Sequence, residues 1–253
     1  MLVTRVRIHY EVEGHGPPLV LLHGGLSNLK IWYELGYVNS LKNDYQLVLI
    51  DIRGYGASDK PHNPEAYELK LLVDDIVAVL DDLNVNKAHF LGYSMSGRLG
   101  FGVAKYAPER FYSFIIGGAH PYMPDQSELD ADIQLFKKGM DAVIAMMEEA
   151  LGSRMPPERK ARLEANDLEA IVALFSAKHW RLSLEDVLPT MTMPCLVFVG
   201  EADPLYSGAK ECVRNMPNAT LISLPGLSHF EVLSKTHLLL PHITKFLARA
   251  GQM

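Results

Sequence analysis

Six short apolar runs recur along the chain, at Leu19 to Leu22, Gln46 to Ile50, Ala88 to Leu91, Phe114 to Ile116, Leu196 to Val199 and Thr220 to Leu224. Each is continuous rather than alternating, which a strand requires only when both of its faces are buried. Helical stretches separate most of them, so the pattern predicts an α/β fold with a mostly parallel, doubly wound sheet. Residues around Val3 to Val12, turning at Gly14-His15-Gly16-Pro17-Pro18, read as an antiparallel pair at one edge. Leu69, Leu72, Val73, Ile76, Val77 and Leu80 repeat at helical spacing, as do Leu99, Val103 and Ala104.

The alternation stops between residues 120 and 188, where helices are readable and no strand is. This divides the chain into a core, 1–119 and 189–253, and a helical cap insertion, 120–188. Leu129, Ile133, Phe136, Met140, Val143, Ile144, Met147 and Leu151 form one apolar stripe, Pro156-Pro157 breaks the chain, and Leu168 to Trp180 resumes a helical pattern. Such a stripe serves core packing first, although a cap can turn the same stripe toward a site, with methionines as an adaptable lining.

Composition excludes several function classes. The net charge is −6 with acids and bases interspersed, so there is no basic face to neutralise a phosphate backbone and nucleic acid is excluded as a partner. The N-terminal segment Met1-Leu2-Val3-Thr4-Arg5-Val6-Arg7-Ile8 lacks the long apolar region of a signal peptide, and no apolar run reaches the length of a membrane span. The expectation is a cytoplasmic protein with no membrane partner. Cys195 and Cys212, the two cysteines, are expected as buried thiols.

The third run leads into Gly92-Tyr93-Ser94-Met95-Ser96-Gly97. A strand that breaks at a small residue, presents a serine and continues into a helix describes a nucleophile elbow. The serine there has positive φ, and its neighbours two before and two after must be small so that strand and helix can approach. Gly92 and Ser96 meet that demand, with Ser96 standing where the pattern has glycine. Acyl transfer by a serine also needs a base, an acid to orient the base, and donors for the oxyanion, each at a strand end. Asp203 follows the run ending at Val199, and His229 follows the run ending at Leu224. His23-Gly24-Gly25-Leu26 follows Leu22 and offers the Gly25 amide as one oxyanion donor, with the Met95 amide as the second.

On these residues the chain resembles a serine hydrolase of the α/β-hydrolase fold, in the esterase- and lactonase-like branch with a helical cap. Asp51-Ile52-Arg53-Gly54-Tyr55-Gly56-Ala57-Ser58 is similar to that family's D-x-R-G-x-G-x-S loop, whose role there is structural. The resemblance implies Ser94 as nucleophile, His229 as base, Asp203 as its orienting acid, no cofactor, and a small-molecule ester or lactone as the substrate. Glu201 and Ser96 are read as structural, and His179, His237 and His242 as surface or helix-packing residues. No His-Glu-x-x-His run supports a metal site.

Substrate-binding candidates come from scattered segments: Leu26 and Trp32 after the oxyanion turn, Tyr93 beside the serine, Tyr122 after the fourth run of the core, and Met140, Met147 and Trp180 in the cap. They suit a short to medium acyl chain or a lactone tail. N-acyl homoserine lactones are one specific case, because the run from Gly100 to Arg110 resembles esterases with that activity. A carbon–carbon bond hydrolase, a perhydrolase and a non-catalytic small-molecule receptor share the same fold and triad and stay open. An aspartate at position 94 would have pointed to dehalogenase or epoxide hydrolase chemistry; serine argues against both.

Overall fold

The computed structural model describes residues 6–251. Seven strands, β1 (Tyr10–Glu13), β2 (Pro18–Leu22), β3 (Gln46–Ile50), β4 (Ala88–Tyr93), β5 (Phe111–Gly117), β6 (Cys195–Gly200) and β7 (Ala219–Leu224), form one sheet in the order β1-β3-β2-β4-β5-β6-β7. All neighbours are parallel except β1, which runs antiparallel along β3. The six apolar runs thus become β2 to β7. The edge strand begins at Tyr10, and the part of the expected N-terminal pair around Val3 lies outside the described residues.

Helices α1 (Ile31–Glu34), α2 (Tyr37–Leu41), α3 (Leu69–Asp82) and α4 (Met95–Tyr106) intervene before β5, and α9 (Tyr206–Arg214), α10 (His229–Val232) and α11 (Thr236–Ala250) follow β6. They cover both faces of the sheet, which explains why β4 and β6 are buried at every residue. Among the described residues, no helix is long and apolar enough to cross a membrane. Cys195 and Cys212 are free and buried, and burial pushes both thiols up to about 12.

Between β5 and β6 the chain is helical throughout, with α5 (Gln126–Lys137), α6 (Met140–Leu151), α7 (Pro157–Glu164) and α8 (Leu168–Phe175), then 3₁₀ turns at Lys178–Arg181 and Glu185–Thr190. The single stripe expected from Leu129 to Leu151 is two helices. Gly139, at φ 105°, breaks it, while Phe136 and Met140 keep an i, i+4 spacing across the break, so the period alone conceals the turn. Asp125 and Asp167 cap α5 and α8 by accepting from first-turn amides. Insertion residues Ile133, Val143, Ile171 and Leu174 belong to the same apolar cluster as Val20, Val48 and Phe90 of the sheet. A second cluster, with Trp32, Leu91 and Ile243, fills the opposite face.

Candidate active site

β4 ends and α4 begins at Ser94, whose backbone stands at φ 56° and ψ −118°. The strand-to-helix approach is close. A Cβ at Gly92 would lie 2.5 Å from the Ser96 carbonyl oxygen, and one at Gly97 would lie 2.7 Å from the Gly117 carbonyl oxygen. Ser96 fits where the pattern has glycine, and its hydroxyl donates to the His23 carbonyl, tying the elbow to the loop after β2.

Three strand-end loops converge on that serine. His229 Nε2 is 2.8 Å from Ser94 Oγ, and His229 Nδ1 is 2.7 Å from Asp203 Oδ2. Asp203 follows β6; its other oxygen accepts the Leu205 amide at 2.9 Å and its side chain is only 1% exposed. His229 opens α10, a single turn fixed by a capping box in which Ser228 and Glu231 satisfy each other's groups. From below, the Tyr93 hydroxyl donates to the His229 carbonyl. Gly118, at φ 54°, lies beside the imidazole: a Cβ there would come within 3.1 Å of His229 Cε1.

The loop after β2 passes directly against the elbow, with the Cβ position of Gly24 only 3.5 Å from Ser94 Cβ. His23 is fully buried; its Nδ1 donates to the Gly24 carbonyl at 2.8 Å and its Nε2 accepts the Ile52 amide at 3.2 Å. Burial lowers the His23 pKa, so the ring stays neutral and serves as a brace. Asp51 accepts the amides of Leu29 and Ala57, each at 2.8 Å, and Arg53 clasps Asp75 through two nitrogens at 2.7 and 2.9 Å. These contacts give the loop from Asp51 to Ser58 a structural part. Glu201 bonds Ser223 Oγ at 2.9 Å and takes no part in the His229 relay.

The substrate-binding candidates divide. Trp180 lines a cavity under the elbow, Met147 is buried in the cluster shared by sheet and insertion, and Leu26 and Met140 pack against it. Trp32 is fully buried in the cluster on the opposite face, edge-on to Tyr37 at 5.1 Å. Strand alternation turns the Tyr93 ring to that same face, stacked on Phe198 beneath His229. Tyr122 is drawn aside, its hydroxyl accepting from Asn215 Nδ2 at 3.3 Å. Phe175 at the end of α8 also reaches the loop after β2, with Cζ 3.7 Å from the Cβ position of Gly25.

Sequence reasoning missed Arg98, one turn after the serine. It is buried, and its terminal nitrogens donate to the carbonyls of Tyr122 (2.7 Å), Leu182 (2.6 Å), His120 (3.3 Å) and His179 (3.5 Å), joining both ends of the insertion to α4. Main-chain acceptors leave no signature in a sequence; only an arginine amid the glycines and apolar residues of α4 hints at it. Gly118 is the other omission, its signal being the Gly117-Gly118 pair at the end of β5.

Comparison with known proteins places this geometry. The profile of the alpha/beta hydrolase fold family matches residues 17–145. Epoxide hydrolase 4 of Mus musculus is 28% identical over 238 residues, covering 92% of this chain and 62% of that protein, so the chain spans less than two thirds of this relative's length. Among solved structures, an N-acyl homoserine lactone degrading enzyme aligns at 27% identity with a TM-score of 0.81, over 95% of this chain and 97% of the other. The enol-lactonase of Burkholderia xenovorans aligns at 20% identity with a TM-score of 0.85, over 96% and 97% of the two chains, and shows the shared fold. The sheet order, the elbow and the family match lead to one conclusion: the chain belongs to the α/β-hydrolase fold family.

Proposed function

We propose that this protein is a carboxylic ester hydrolase that forms an acyl-enzyme on Ser94 and acts on short to medium acyl esters or lactones. The observation that carries the reading is the continuous relay from Asp203 to His229 to Ser94, at 2.7 and 2.8 Å. With Asp203 accepting from Nδ1–H, the imidazole lone pair on Nε2 faces the hydroxyl. His229 takes the Ser94 proton as Oγ attacks the acyl carbon, then returns it to the leaving alkoxide; water repeats the cycle on the acyl-enzyme. The Met95 amide, at the first turn of α4, has no intrahelical acceptor and joins the Gly25 amide as oxyanion donor. The insertion 120–188 acts as the cap, with Phe175 set against the Gly25 loop.

The serine nucleophile separates this reading from the chemistry named for the mouse relative, because an alkyl-enzyme ester requires a carboxylate at the elbow. Likeness to the lactone-degrading enzyme supports the lactone arm. Sustained release of nitrophenolate from p-nitrophenyl butyrate, reduced about 10⁴-fold or more by Ser94→Ala, is the expected result. Activity surviving that substitution removes Ser94 from its role, and tight ligand binding without turnover would favour a receptor. Proton release from an N-acyl homoserine lactone at fixed pH, compared with the buffer rate, tests the lactone arm.

A further inference from the structure

The tetrahedral carbon formed on a nucleophilic serine has four substituents, and the site gives three of them a place. One is Ser94 Oγ, the second is the oxygen received by the Gly25 and Met95 amides, and the third is the leaving alkoxide, which must face His229 Nε2 to regain a proton. The acyl chain takes the remaining side, away from the imidazole. The insertion meets both oxyanion residues: Phe175 reaches Gly25, and Leu174 and Trp180 line one small space with Met95. Whatever stands at the end of α8 therefore bears on how long a chain fits.

Two side-chain atoms lie within 4 Å of the Cβ position of Gly25, the Tyr55 hydroxyl oxygen of the core at 3.8 Å and Phe175 Cζ of the insertion at 3.7 Å. Phe175 ends α8 and is half-buried. Its ring is held on two sides. It stacks on Trp180, with centroids 5.1 Å and planes 23° apart, and lies 5.3 Å from the Phe136 ring. Both neighbours are themselves buried, so the ring is a fixed surface rather than a free side chain. Behind the stack, the space that Trp180 and Leu174 share with Met95, Leu99 and Leu184 measures about 10 Å³, too little for an acyl chain.

We propose, resting on the acyl-enzyme reading of Ser94, that Phe175 sets the acyl length this protein accepts: its ring is the wall that ends the acyl pocket beside the oxyanion loop and confines the substrates to short acyl groups. A longer chain gains nothing by pushing past the ring, because the space behind it is already packed to within about one water. A smaller residue at 175 opens the volume of the ring itself, bounded by Trp180, Phe136 and the Gly25 loop, all of them apolar or main-chain surface. Chain length is then decided by one insertion residue that touches neither Ser94 nor His229 in its role as base.

The test measures kcat/KM on p-nitrophenyl butanoate, hexanoate and octanoate for the wild type, Phe175→Ala, Phe175→Leu and Val172→Ala. The readout is the ratio of octanoate to butanoate, in which the concentration of folded protein cancels. The wild type is expected to favour butanoate. Each methylene that gains apolar cover is worth about fourfold, so Phe175→Ala is expected to raise the ratio about 10-fold or more. Phe175→Leu, which keeps an apolar branch should alanine not fold, is expected to fall between the two. Val172→Ala trims a half-buried residue of the same helix and is expected to leave the ratio within about twofold of the wild type. A ratio unmoved by both substitutions of Phe175, or raised equally by Val172→Ala, overturns the proposal while Ser94-dependent turnover stands. Failure of the acyl-enzyme reading shows differently, as no turnover of any ester or turnover that survives Ser94→Ala, and takes the length limit with it.

Discussion

The His229 carbonyl accepts from the Tyr93 hydroxyl, so the residue before Ser94 holds the backbone of the proposed base. Burial keeps that phenol protonated well beyond neutral pH, which makes the bond insensitive to the pH at which an esterase is assayed. Tyr93→Phe preserves the stack on Phe198 and deletes only the donor. A neutral hydrogen bond is worth about 0.5–1.5 kcal/mol net, so kcat on p-nitrophenyl butyrate is expected to fall about 2- to 10-fold with KM within about twofold. An unchanged kcat would show that α10 is held by its capping box alone. Asp203→Asn should cost far more, about 10³–10⁴-fold in kcat, because an amide can donate its own N–H to the imidazole and favour the wrong tautomer. These roles differ in how far the sequence discloses them. Ser94, Asp203 and His229 each lie in the loop that follows an apolar strand, and the roles proposed for them rest on side-chain chemistry, so the sequence marks them as candidates. Tyr93 and Arg98 act on carbonyl oxygens far along the chain, which any residue supplies, so nothing in their neighbourhood marks them.

At the scale of elements, the five inner strands were readable because burial on both faces writes them as apolar runs, whereas the edge strand β1 is only partly buried and the edge strand β7 buries Leu224 alone yet still carries an apolar run. The break between α5 and α6 was hidden because the helical period runs through Gly139. A polar latch was equally hidden. His62, in the segment before α3, has Nε2 3.0 Å from Asp167 and Nδ1 3.0 Å from Glu169, at the start of α8. The hydrogen bond to Asp167 is the main cause that raises the His62 pKa, with the charges of Asp167 and Glu169 adding to it. Because the folded pKa lies above the unfolded value of about 6.5, the latch contributes fully below that pH and is lost as pH rises through the folded pKa. Hydrogen exchange of the amides of residues 168–171, corrected for intrinsic rates, is expected to be slower at pH 6 than at pH 8. His62→Gln should abolish the difference; if it persists, the latch is not its source.

Among the described residues, insertion and sheet belong to one apolar cluster. Ile171 and Leu174 of α8 are buried in the cluster that also holds Val48 and Phe90, and α8 carries the Phe175 ring onto both Phe136 and Trp180. An insertion with its own core would unfold separately; one that sets Leu174 and Leu184 beside Leu69, Leu72, Met95 and Leu99 cannot leave without exposing those residues to water. Cooperativity should therefore extend across residues 120–188. Ile171→Ala removes a fully buried side chain at a cost of about 2–5 kcal/mol, and about 2–4 °C is lost per kcal/mol in a domain near this size. The midpoint of the entire protein is thus expected to fall by about 4–20 °C, with helical and aromatic circular dichroism still losing signal together in one transition. Two transitions, with only the earlier moved by Ile171→Ala, would mean that the insertion folds apart from the sheet. Phe175 could then leave the Gly25 loop by local unfolding, whereas in a single cooperative unit it can move only while the rest of α8 stays packed.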